Sequence, residues 1–568
     1  MATRMGRALV MAMLLGAIVT AYAQQAGAQQ AGAQQADRDA MLRQHRGGIM
    51  RLVARGSNGT IDPHVAYSLQ YWQLDQSVYD GLVAFKKAQG AEAFKIVPDL
   101  AAAMPAVSNG GKTYTFTLRR GVHFSNGQEV VPKDVLASFQ RIFKVVGPTS
   151  GTFYAGIVGA DVCLKTPATC TLEGGVAADD ATGAITINLT APDAEFLDKL
   201  AVPHATIVPA ATPAKDQGNA PVPGTGAYMI SSFNPITGMV LTRNPYFKEW
   251  SVDAEPDGYP DRVNYDFGME DEAQVTAVEN GQADWTYDPA PSDRLGELGG
   301  KFAAQTHLNP LTAIYYLPLN VNIPPFNNLK ARQAVAFALD RRAAVNLFGG
   351  RNLAVPTCQI LPPGFPGHVA YCPYTKNPGA EWSAPDMDRA RALVAESGTK
   401  GQKVEVIVQA IPIDKNIGTY VTSVLRDLGY AATLHPISPD IQTQYIQNTN
   451  NHVQVSLTAW YQDYPAASDF LNVLFSCADF HPGSDASINE AGVCDHALDA
   501  RMQHAAATGV TDQDAANKEW AAIDRTVTDM GAFAVLFAPK HVDFVAKRVG
   551  HFVFSRQFYW LFTQSWVQ

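Results

Sequence analysis

Hydrophobic and polar residues alternate strictly in one short segment of the chain, residues 113–118 (TYTFTL). Tyr114, Phe116 and Leu118 fall on one face of this segment, and three threonines fall on the other. A period of two predicts a half-buried β-strand. The preceding residues 108–111 (SNGG) are typical of a tight turn that leads into the strand.

Two segments farther along the chain repeat their apolar residues at helical spacing. The first begins at Pro132, a residue type that is favoured in the first turn of a helix. Its apolar stripe comprises Val135, Phe139, Ile142 and Phe143. The second has an apolar pattern at residues 331–339, with an N-cap expected at residues 327–328 (NN) and an end at residues 349–350 (GG). Strands and helices therefore alternate irregularly, which indicates a mixed α/β fold with more than one lobe.

The N-terminus has the pattern of a secretory signal peptide. Arg4 and Arg7 precede an apolar run at residues 8–20, and residues 21–23 (AYA) form a cleavage site. The run is too short to span a bilayer comfortably, and no cysteine follows it, so a retained anchor and a lipid anchor are both disfavoured. We expect a cleaved signal peptide over 1–23. Residues 24–36 repeat Gln, Ala and Gly without charge, which predicts a flexible linker.

Length and charge narrow the classes of protein that remain. The chain has 568 residues, more than one domain usually contains. Its residues are 47% hydrophobic and 17% charged, which allows a large core and excludes global disorder. The formal net charge is −10, so the composition gives no sign of a basic face for nucleic acid.

The six cysteines form three local pairs along the sequence. These pairs are Cys163 with Cys170, Cys358 with Cys372, and Cys477 with Cys494. In an oxidising compartment each pair can close a small loop as a disulfide. A zinc site is the alternative, but the sequence has no C-x-x-C spacing. We therefore interpret the pairs as structural disulfides, although the partner choice stays open for Cys163 and Cys170.

The chain lacks the local signatures of the common enzyme classes. It contains no G-x-S-x-G, H-E-x-x-H, phosphate-binding G-x-x-x-x-G-K or dinucleotide-binding G-x-G-x-x-G segment. His481 and His496 flank the last cysteine pair, a setting more typical of a surface loop than of a metal site. The sequence therefore predicts a protein that is not an enzyme and that needs no metal or other cofactor.

Several longer segments follow one another in a characteristic order. They are residues 61–63 (IDP), 78–83 (VYDGLV), 97–101 (VPDLA), 112–127 (KTYTFTLRRGVHFSNG), 224–228 (GTGAY), 243–246 (RNPY) and 331–341 (ARQAVAFALDR). From about residue 47 to the C-terminus the chain resembles the family 5 extracellular solute-binding proteins of ABC importers, the peptide- and nickel-binding group. Two positions depart from the family pattern: Val131 replaces the usual Ser or Thr helix cap, and Ala227 replaces a proline.

The resemblance implies an α/β, two-lobed periplasmic binding protein fold with an extra inserted domain and a hinge between the lobes, of the class II or cluster C type. Lobe I is expected to combine residues 37–75, 204–310 and 531–568. The inserted domain is expected over 76–203, and lobe III over 311–530. A solute would be enclosed between the lobes of a periplasmic monomer and delivered to the permease subunits of an ABC transporter at the inner membrane.

Three segments resemble the dipeptide- and oligopeptide-binding branch of the family. They are residues 460–464 (WYQDY), 470–477 (FLNVLFSC) and 494–495 (CD). In that branch the acid of a W-x-x-D segment pairs with the peptide α-ammonium, and a local disulfide follows. The resemblance thus assigns the ammonium to Asp463, with Trp460, Tyr461 and Tyr464 as further ligand contacts. A loop acid that caps local amides remains the alternative for Asp463, and a core aromatic remains the alternative for Trp460.

Further candidate ligand residues follow from the same resemblance. Three of them match the family strand that lines the cleft: Tyr67, Ser68 and Leu69. Phe153 and Tyr154 fall in the loop that closes over the ligand in the family, with hinge or exposed positions as alternatives. Lys415 stands near the position of a ligand-carboxylate partner, although a solvated lysine is the favoured interpretation.

The sequence therefore predicts a solute-binding protein that captures a peptide or peptide-like solute. Within the same fold, a nickel chelate, an oligosaccharide or an opine-like conjugate remains an alternative solute. An exported peptide hydrolase is the rival class. It is disfavoured because no nucleophile, base and orienting group are recognisable together.

Overall fold

The computed structural model describes residue 38, residues 40–485 and residues 487–568. The predicted signal peptide and linker lie outside the described residues. Within the described part, no helix is both long enough and apolar enough to cross a membrane. Helices and sheets alternate along the chain, so the predicted mixed α/β class is confirmed.

Four larger sheets and three two-stranded ribbons are formed by the described residues. In spatial order, the first sheet contains Trp285–Thr286, Ile49–Val53, Arg262–Asp266, Gly238–Arg243 and Tyr228–Asn234. The second contains Thr306–Pro310, Phe533–Phe544, Ala313–Pro318 and Thr458–Tyr461, with Ala354–Pro356 also paired to Phe533–Phe544. The third, all parallel, contains Ala431–Ile437, Lys403–Gln409 and Val455–Ser456. The fourth, all antiparallel, contains Ala106–Ser108, Thr113–Thr117, Ala184–Asn188 and Val176–Asp179. The ribbons pair Val83–Phe85 with Ile96–Pro98, Val549–Gly550 with Trp566–Val567, and Phe554–Ser555 with Tyr559–Trp560.

Helices alternate with these strands along the chain, and they pack against the sheets or against one another. They are Leu69–Asp75, Pro132–Lys144, Ser150–Phe153, Ala160–Lys165, Phe196–Ala201, Asp271–Glu279, Leu295–Gly300, Leu329–Ala338, Arg341–Phe348, Met387–Ser397, Pro412–Asp427, Pro439–Gln447, Ser468–Phe475, His496–Thr508 and Gln513–Asp529. Short 3₁₀ turns occur at Gly90–Phe94, Asn109–Gly111, Pro167–Thr169, Pro203–Ala205, Ala303–Gln305, Thr449–Asn451, Cys477–Asp479 and Phe562–Gln564.

The first predicted strand and helix are confirmed. Strand Thr113–Thr117 buries Tyr114 and Phe116, as the alternation predicts. All four stripe residues of helix Pro132–Lys144 are buried. Val131 offers no capping side chain, but the Asp134 carboxylate accepts a hydrogen bond from the Val131 amide at 2.9 Å. This contact satisfies one of the backbone groups that a helix N-terminus leaves free.

The predicted end of the second helix is wrong. The helix begins after the Asn328 cap, as expected, but it ends at Ala338, and a new helix runs over Arg341–Phe348. The break arises because the Asp340 carboxylate accepts hydrogen bonds from the amides of Arg342 and Ala343, at 2.9 and 3.1 Å. An acid in that position is a strong N-cap, and it starts a helix of its own.

Four hydrophobic clusters of the described chain draw mainly on three stretches of the sequence. One cluster comes mainly from residues 82–207 and includes Phe116, Phe139 and Phe153. A second is built mainly from residues 50–79 and 208–287. Two more lie within residues 314–537. These clusters follow the proposed inserted domain, lobe I and lobe III, and they support that division of the chain.

Strand Phe533–Phe544 connects the parts that we assign to the two lobes. Residues 533–537 pair with Ala313–Pro318, and residues 540–544 pair with Thr306–Pro310. The chain therefore passes between the two parts along two adjacent strands. We propose that the return crossing lies near residue 539 rather than at 531, because the first half of this strand belongs to the lobe III sheet.

The 224–228 segment of the family pattern has a structural reason for its glycines. A Cβ atom on Gly224 would lie 2.0 Å from the Val78 carbonyl oxygen, and one on Gly226 would lie 2.5 Å from that of Ser77. The Gly226 amide donates a hydrogen bond to the Val78 carbonyl at 3.0 Å. Only a residue without a side chain permits this backbone approach.

All six cysteines are joined as the three predicted disulfides. The Cα–Cα distances are 4.5 Å for Cys163–Cys170, 5.2 Å for Cys358–Cys372 and 4.4 Å for Cys477–Cys494. Among the described residues, the group with metal-ligand spacing is Cys477, Cys494 and His496. Its two sulfur atoms are bonded to each other, so they are not available to a metal.

A buried ion pair joins Arg141 of the proposed inserted domain to Asp62 of the proposed lobe I. Arg141, on helix Pro132–Lys144, donates hydrogen bonds to both carboxylate oxygens of Asp62, at 2.9 and 2.5 Å. Its guanidinium also donates to the carbonyls of Pro213 and Lys215. Both side chains are almost fully buried. Burial raises the pKa of Asp62, but Arg141 outweighs this effect and holds that pKa below its usual value.

Candidate functional site

A cavity of about 280 Å³ lies between residues 67–72 and residues 459–463. Its lining residues are Tyr67, Ser68, Leu69, Trp72, Thr443, Ala459, Trp460, Tyr461, Gln462 and Asp463. Six of these ten were predicted from the sequence as ligand residues. The fold thus brings together two predicted segments that are almost 400 residues apart, and Tyr67 and Asp463 are directly hydrogen-bonded across the cavity.

The first wall is the chain just before helix Leu69–Asp75. The Ser68 hydroxyl caps this helix by accepting a hydrogen bond from the Tyr71 amide. The Tyr67 ring packs beside the rings of Trp72 and His204, with centroids 5.5 and 5.4 Å away. Within the described chain, the backbone amide and carbonyl of Tyr67 have no hydrogen-bond partner. These groups are therefore free to bind a solute at the cavity wall.

The second wall is strand Thr458–Tyr461 and the residues that follow it. The strand pairs with Ala313–Pro318 on one side, with Trp460 opposite Ile314 and Tyr461 opposite Ala313. It stands last in the order of its sheet, so in the described chain its other edge has no partner strand. An unpaired edge carries a row of backbone donors and acceptors that an extended chain can use.

Asp463 follows this strand and is held by its surroundings on three sides. Its carboxylate accepts a hydrogen bond from the Tyr67 hydroxyl. Its amide donates to the Asp469 carboxylate at 2.9 Å, and its carbonyl accepts from the Gln557 side chain at 2.6 Å. Asp463 is only 8% exposed. The carboxylate thus lies at the edge of the cavity, and within the described chain its hydrogen bond comes from the Tyr67 hydroxyl and not from a local amide.

The electrostatic state of Asp463 is unusual for an aspartate. Burial raises the pKa of its carboxyl to about 7, and the hydrogen bond from Tyr67 offsets part of this effect. Within the described chain, no basic side chain lies at ion-pair distance from it. Asp469, whose pKa burial raises well above its usual value, lies directly behind. The site therefore holds a buried carboxyl that lacks a cationic partner.

The other predicted aromatic residues lie outside this cavity. The Tyr464 ring packs edge-on against Phe153, with centroids 5.3 Å apart, and it lines a smaller cavity of about 160 Å³ that also contains Thr152 and Lys199. Tyr154 is fully buried in the core of the inserted domain, where its hydroxyl donates to the Lys199 carbonyl at 3.0 Å. Phe153 and Tyr154 are therefore packed core residues, and neither lies exposed on a loop.

Lys415 does not reach either cavity. It lies exposed on helix Pro412–Asp427, and the structure brings it to no other predicted ligand residue. This position matches the solvated lysine that we favoured from the sequence. The preceding residue, Asp414, is buried instead, and it acts electrostatically on the cavity residue Tyr461.

Several residues of the site carry no signal that identifies them in the sequence alone. Trp72 and Thr443 line the cavity from two helices. Gln557 holds the carbonyl of Asp463 and also bonds to the side chain of Gln462, although it lies near the C-terminus. These contacts join residues that are far apart in the chain, so no local spacing in the sequence predicts them.

Comparisons with known proteins agree with this architecture. Residues 95–482 match the sequence model described as bacterial extracellular solute-binding proteins, family 5, middle region. Over 488 residues, the chain is 24% identical to the periplasmic oligopeptide-binding protein OppA of Escherichia coli strain K12, covering 83% of each chain.

Two solved structures show the same fold. The clavulanic acid biosynthesis oligopeptide binding protein 2 superposes with a TM-score of 0.80 at 23% identity, over 92% of this chain and 96% of that one. The ABC transporter-associated periplasmic binding protein DppA of Helicobacter pylori, solved with the peptide STSA, has a TM-score of 0.76 at 18% identity over 92% and 99%. The predicted two-lobed binding-protein fold is therefore confirmed.

Proposed function

Because this chain belongs to the family 5 bacterial extracellular solute-binding proteins, we propose that it binds a peptide or peptide-like solute through a free amino group. The observation that carries this proposal is Asp463, a buried carboxyl that faces the cavity between residues 67–72 and 459–463 and has no cationic partner among the described residues. A buried charge is costly unless an opposite charge meets it. A solute ammonium supplies that charge.

Backbone groups on both walls support a main-chain mode of peptide binding. The free amide and carbonyl of Tyr67 lie on one wall, and the unpaired edge of strand Thr458–Tyr461 lies on the other. An extended peptide can bond to both through its own backbone, whatever its side chains. We propose that Tyr67, Ser68 and Leu69 bind in this way, with Trp460 and Tyr461 packing against the solute.

Contacts across the cleft support enclosure of the solute between the parts of the molecule. The Ser468 hydroxyl bonds to the Glu195 carboxylate, and Thr152 donates to Asp479 at 3.0 Å. Both contacts join residues of the proposed inserted domain to residues of the proposed lobe III. We propose that Phe153 and Tyr464, which pack together at the same boundary, close one side of the site.

We also propose the setting in which binding takes place. The protein acts in the periplasm, as a monomer, and hands its solute to the permease subunits of an ABC transporter. The predicted signal peptide and the three disulfides support an exported protein. OppA and DppA, to which the chain is similar, are periplasmic binding proteins.

A thermal-shift screen tests the proposed function. Peptides of two to five residues, nickel chelates, oligosaccharides and opine-like conjugates are each added in excess to the purified protein. A ligand at 100 times its Kd stabilises the folded state by about 2.7 kcal/mol. We expect stabilisation by free-amine peptides and none by their N-acetylated counterparts. Stabilisation by chelates or sugars alone, or hydrolysis of an added peptide, would contradict the proposal.

Binding of a free-amine peptide is expected to weaken as the pH falls below 7. The ammonium pairs with the ionised form of Asp463, whose pKa is raised to about 7 in the free protein. Below that pH the carboxyl must first lose a proton, so the affinity falls about tenfold for each further pH unit. Above pH 8 the peptide amino group begins to lose its own proton. The affinity is therefore expected to be highest between about pH 7 and 8.

Calorimetry in buffers of different ionisation enthalpy measures this coupling. At pH 6 the binding event should release nearly one proton per peptide, and at pH 8 it should release none from Asp463. The Asp463→Asn variant serves as the control, because it cannot release this proton. An affinity that is constant from pH 5.5 to 7 would mean that Asp463 is ionised throughout or does not meet the ammonium.

A further inference from the structure

A second cavity, of about 560 Å³, lies between residues 117–123 of the proposed inserted domain and residues 246–250 of the proposed lobe I. It has about twice the volume of the cavity at Asp463. Among the described residues, the two cavities share no lining residue. The second cavity is therefore a separate feature of the surface, and the proposed binding of a peptide does not account for it.

Basic side chains predominate in the lining of this second cavity. Its described lining contains four of them, Arg119, Arg120, His123 and Lys248, against one acid, Glu249. Arg120 and Lys248 are exposed, and neither makes a hydrogen bond or an ion pair with another described residue. The chain as a whole has a formal net charge of −10, so this local excess of positive charge does not follow from composition. Cations that line one concavity add their potentials and attract an anion.

The acid in the lining does not neutralise these cations. Glu249 accepts two hydrogen bonds from the guanidinium of Arg38, one of them at 2.8 Å, and a third from the Asp257 amide at 2.7 Å. Arg38 is not part of the lining, so the Glu249 charge is balanced from outside the cavity. Glu129 lies close by, but its carboxylate accepts the Gly121 amide at 2.9 Å. The lining thus keeps its positive charge.

Both walls of the second cavity are anchored on Asp99. The Nε atom of Arg119 donates to the Asp99 carbonyl at 2.7 Å, and its two Nη atoms have no partner within the described chain. From the opposite wall, the Trp250 indole donates to the Asp99 carboxylate at 2.9 Å. The walls are therefore held together before any ligand binds, and a preformed site loses less entropy on binding than a flexible one.

Aromatic rings complete the lining. Tyr246 is 47% exposed, and Trp250 lines the cavity beside it. The Tyr246 amide donates to the Asn244 side chain at 3.0 Å, which fixes the turn that presents this ring. Exposed aromatic rings stack on planar groups, and a concave wall favours a small molecule over a flat surface. The lining therefore suits a ligand that joins an anion to a planar ring.

From these observations we propose that the second cavity binds a small organic phosphate, in which the phosphate is joined to a planar ring, as in a nucleoside monophosphate. The planar guanidinium groups of Arg119 and Arg120 match the geometry of a phosphate, and Lys248 adds a point charge. Tyr246 and Trp250 pack against the ring. This inference goes beyond the proposed function and does not depend on it.

Calorimetric titration at low ionic strength tests the ligand class with three compounds: adenosine 5′-monophosphate, ribose 5-phosphate and adenosine. The nucleotide should bind most tightly. Ribose 5-phosphate should bind about fivefold or more weakly, because it has no base to stack. Adenosine should bind about tenfold or more weakly, because it has no charge to meet the basic side chains.

A double variant tests the location of the site. Arg120→Gln/Lys248→Gln should lower the affinity for adenosine 5′-monophosphate about tenfold or more. Both side chains are exposed and unpaired within the described chain, so the melting temperature should not change. Arg351→Gln/Lys518→Gln removes the same two types of charge at exposed positions outside the cavity, and it should bind like the parent.

Several results would overturn the proposal. They are no binding of the nucleotide at millimolar concentration, equal affinity for adenosine, an equal loss in both double variants, and displacement of the nucleotide by tetra-alanine. Co-sedimentation with phosphatidylglycerol vesicles is the remaining arm. If the parent binds these vesicles through Arg120 and Lys248 but does not bind the free nucleotide, the phosphate belongs to a lipid headgroup and the small-molecule site is wrong.

Discussion

The Asp463→Asn variant is expected to bind a free-amine tetrapeptide about 30-fold to several thousand-fold more weakly than the parent protein. Removing one partner of a buried, hydrogen-bonded charge pair typically costs about 2–5 kcal/mol, because the other charge stays buried without a partner. Asp463 is 8% exposed, and no basic side chain of the described chain could pair with it in place of the solute ammonium. The effect should therefore lie within this range.

The folded state itself should tolerate the substitution. The side-chain oxygen of the new amide can still accept the Tyr67 hydrogen bond, and the two backbone bonds of residue 463 are unchanged. Burial raises the pKa of Asp463 above its value in the unfolded chain. The folded state therefore becomes less stable relative to the unfolded state as the pH rises toward 7, because ionisation is easier in the unfolded chain. The melting temperature of the free variant should thus stay equal to that of the parent or rise.

Calorimetry on four combinations decides the matter: parent and variant, each with tetra-alanine and with N-acetyl-tetra-alanine. The acetylated peptide should bind the parent poorly and should lose little more in the variant. Asp388→Asn, at an exposed acid in the first turn of helix Met387–Ser397, is a matched control and should leave binding unchanged. If the Asp463→Asn variant binds tetra-alanine as tightly as the parent, Asp463 is a structural acid.

The Arg141→Met variant is expected to lose about 3–5 kcal/mol of unfolding free energy at pH 7. This is the usual cost of leaving one member of a buried ion pair without its partner. Arg141 and Asp62 are 4% and 0% exposed at their side chains, and the guanidinium also satisfies the carbonyls of Pro213 and Lys215. Methionine fills most of the volume, so the loss reflects the buried charge more than a cavity.

Chemical denaturation followed by tryptophan fluorescence measures this loss. The double variant Asp62→Asn/Arg141→Met should be more stable than Arg141→Met alone, because it removes the uncompensated charge. Arg389→Met removes an exposed arginine that lies 3.6 Å from Glu396, and it should cost less than about 1 kcal/mol. A loss in Arg141→Met as small as that of the Arg389 control would refute the structural role of the buried pair.

The stability lost in the Arg141→Met variant should depend on pH, and it should be smaller in acid. Arg141 holds the pKa of Asp62 below its usual value, so the pair contributes stability above the unfolded pKa of about 3.9. That contribution is lost as the pH falls through the pKa of folded Asp62. The difference in unfolding free energy between the parent and the Arg141→Met variant should therefore be largest at pH 7 and should decrease in strong acid.

Local sequence pattern was sufficient to predict the elements whose conformation is set by residues close together in the chain. The period of two at residues 113–118 and the apolar stripe from Val135 to Phe143 each gave an element with the expected buried face. The ordered segments identified the family, and the short cysteine spacings gave the disulfides. Each of these signals needs only a few residues, because turns, strand faces and short loops are set by local backbone geometry.

Local pattern misled where two local signals competed. The apolar repeat at residues 331–339 indicated one helix that continued to Gly349, but Asp340 caps a second helix of its own. For Phe153 and Tyr154 the ligand role stays a prediction from the family resemblance. The structure adds that both rings are buried and that they pack against Tyr464 and Phe139, respectively.

The sequence by itself determined the family, the α/β class and the segments that carry the candidate ligand residues. Only the tertiary structure decided which of those residues share a cavity: Tyr67 reaches Asp463, while Lys415 stays on an exposed helix face. The tertiary structure alone also showed that Asp463 has no basic partner in the described part of the chain and that its amide donates to the Asp469 carboxylate. The reason is physical, because the energy of a buried charge depends on every group around it in space, and those groups come from distant parts of the chain.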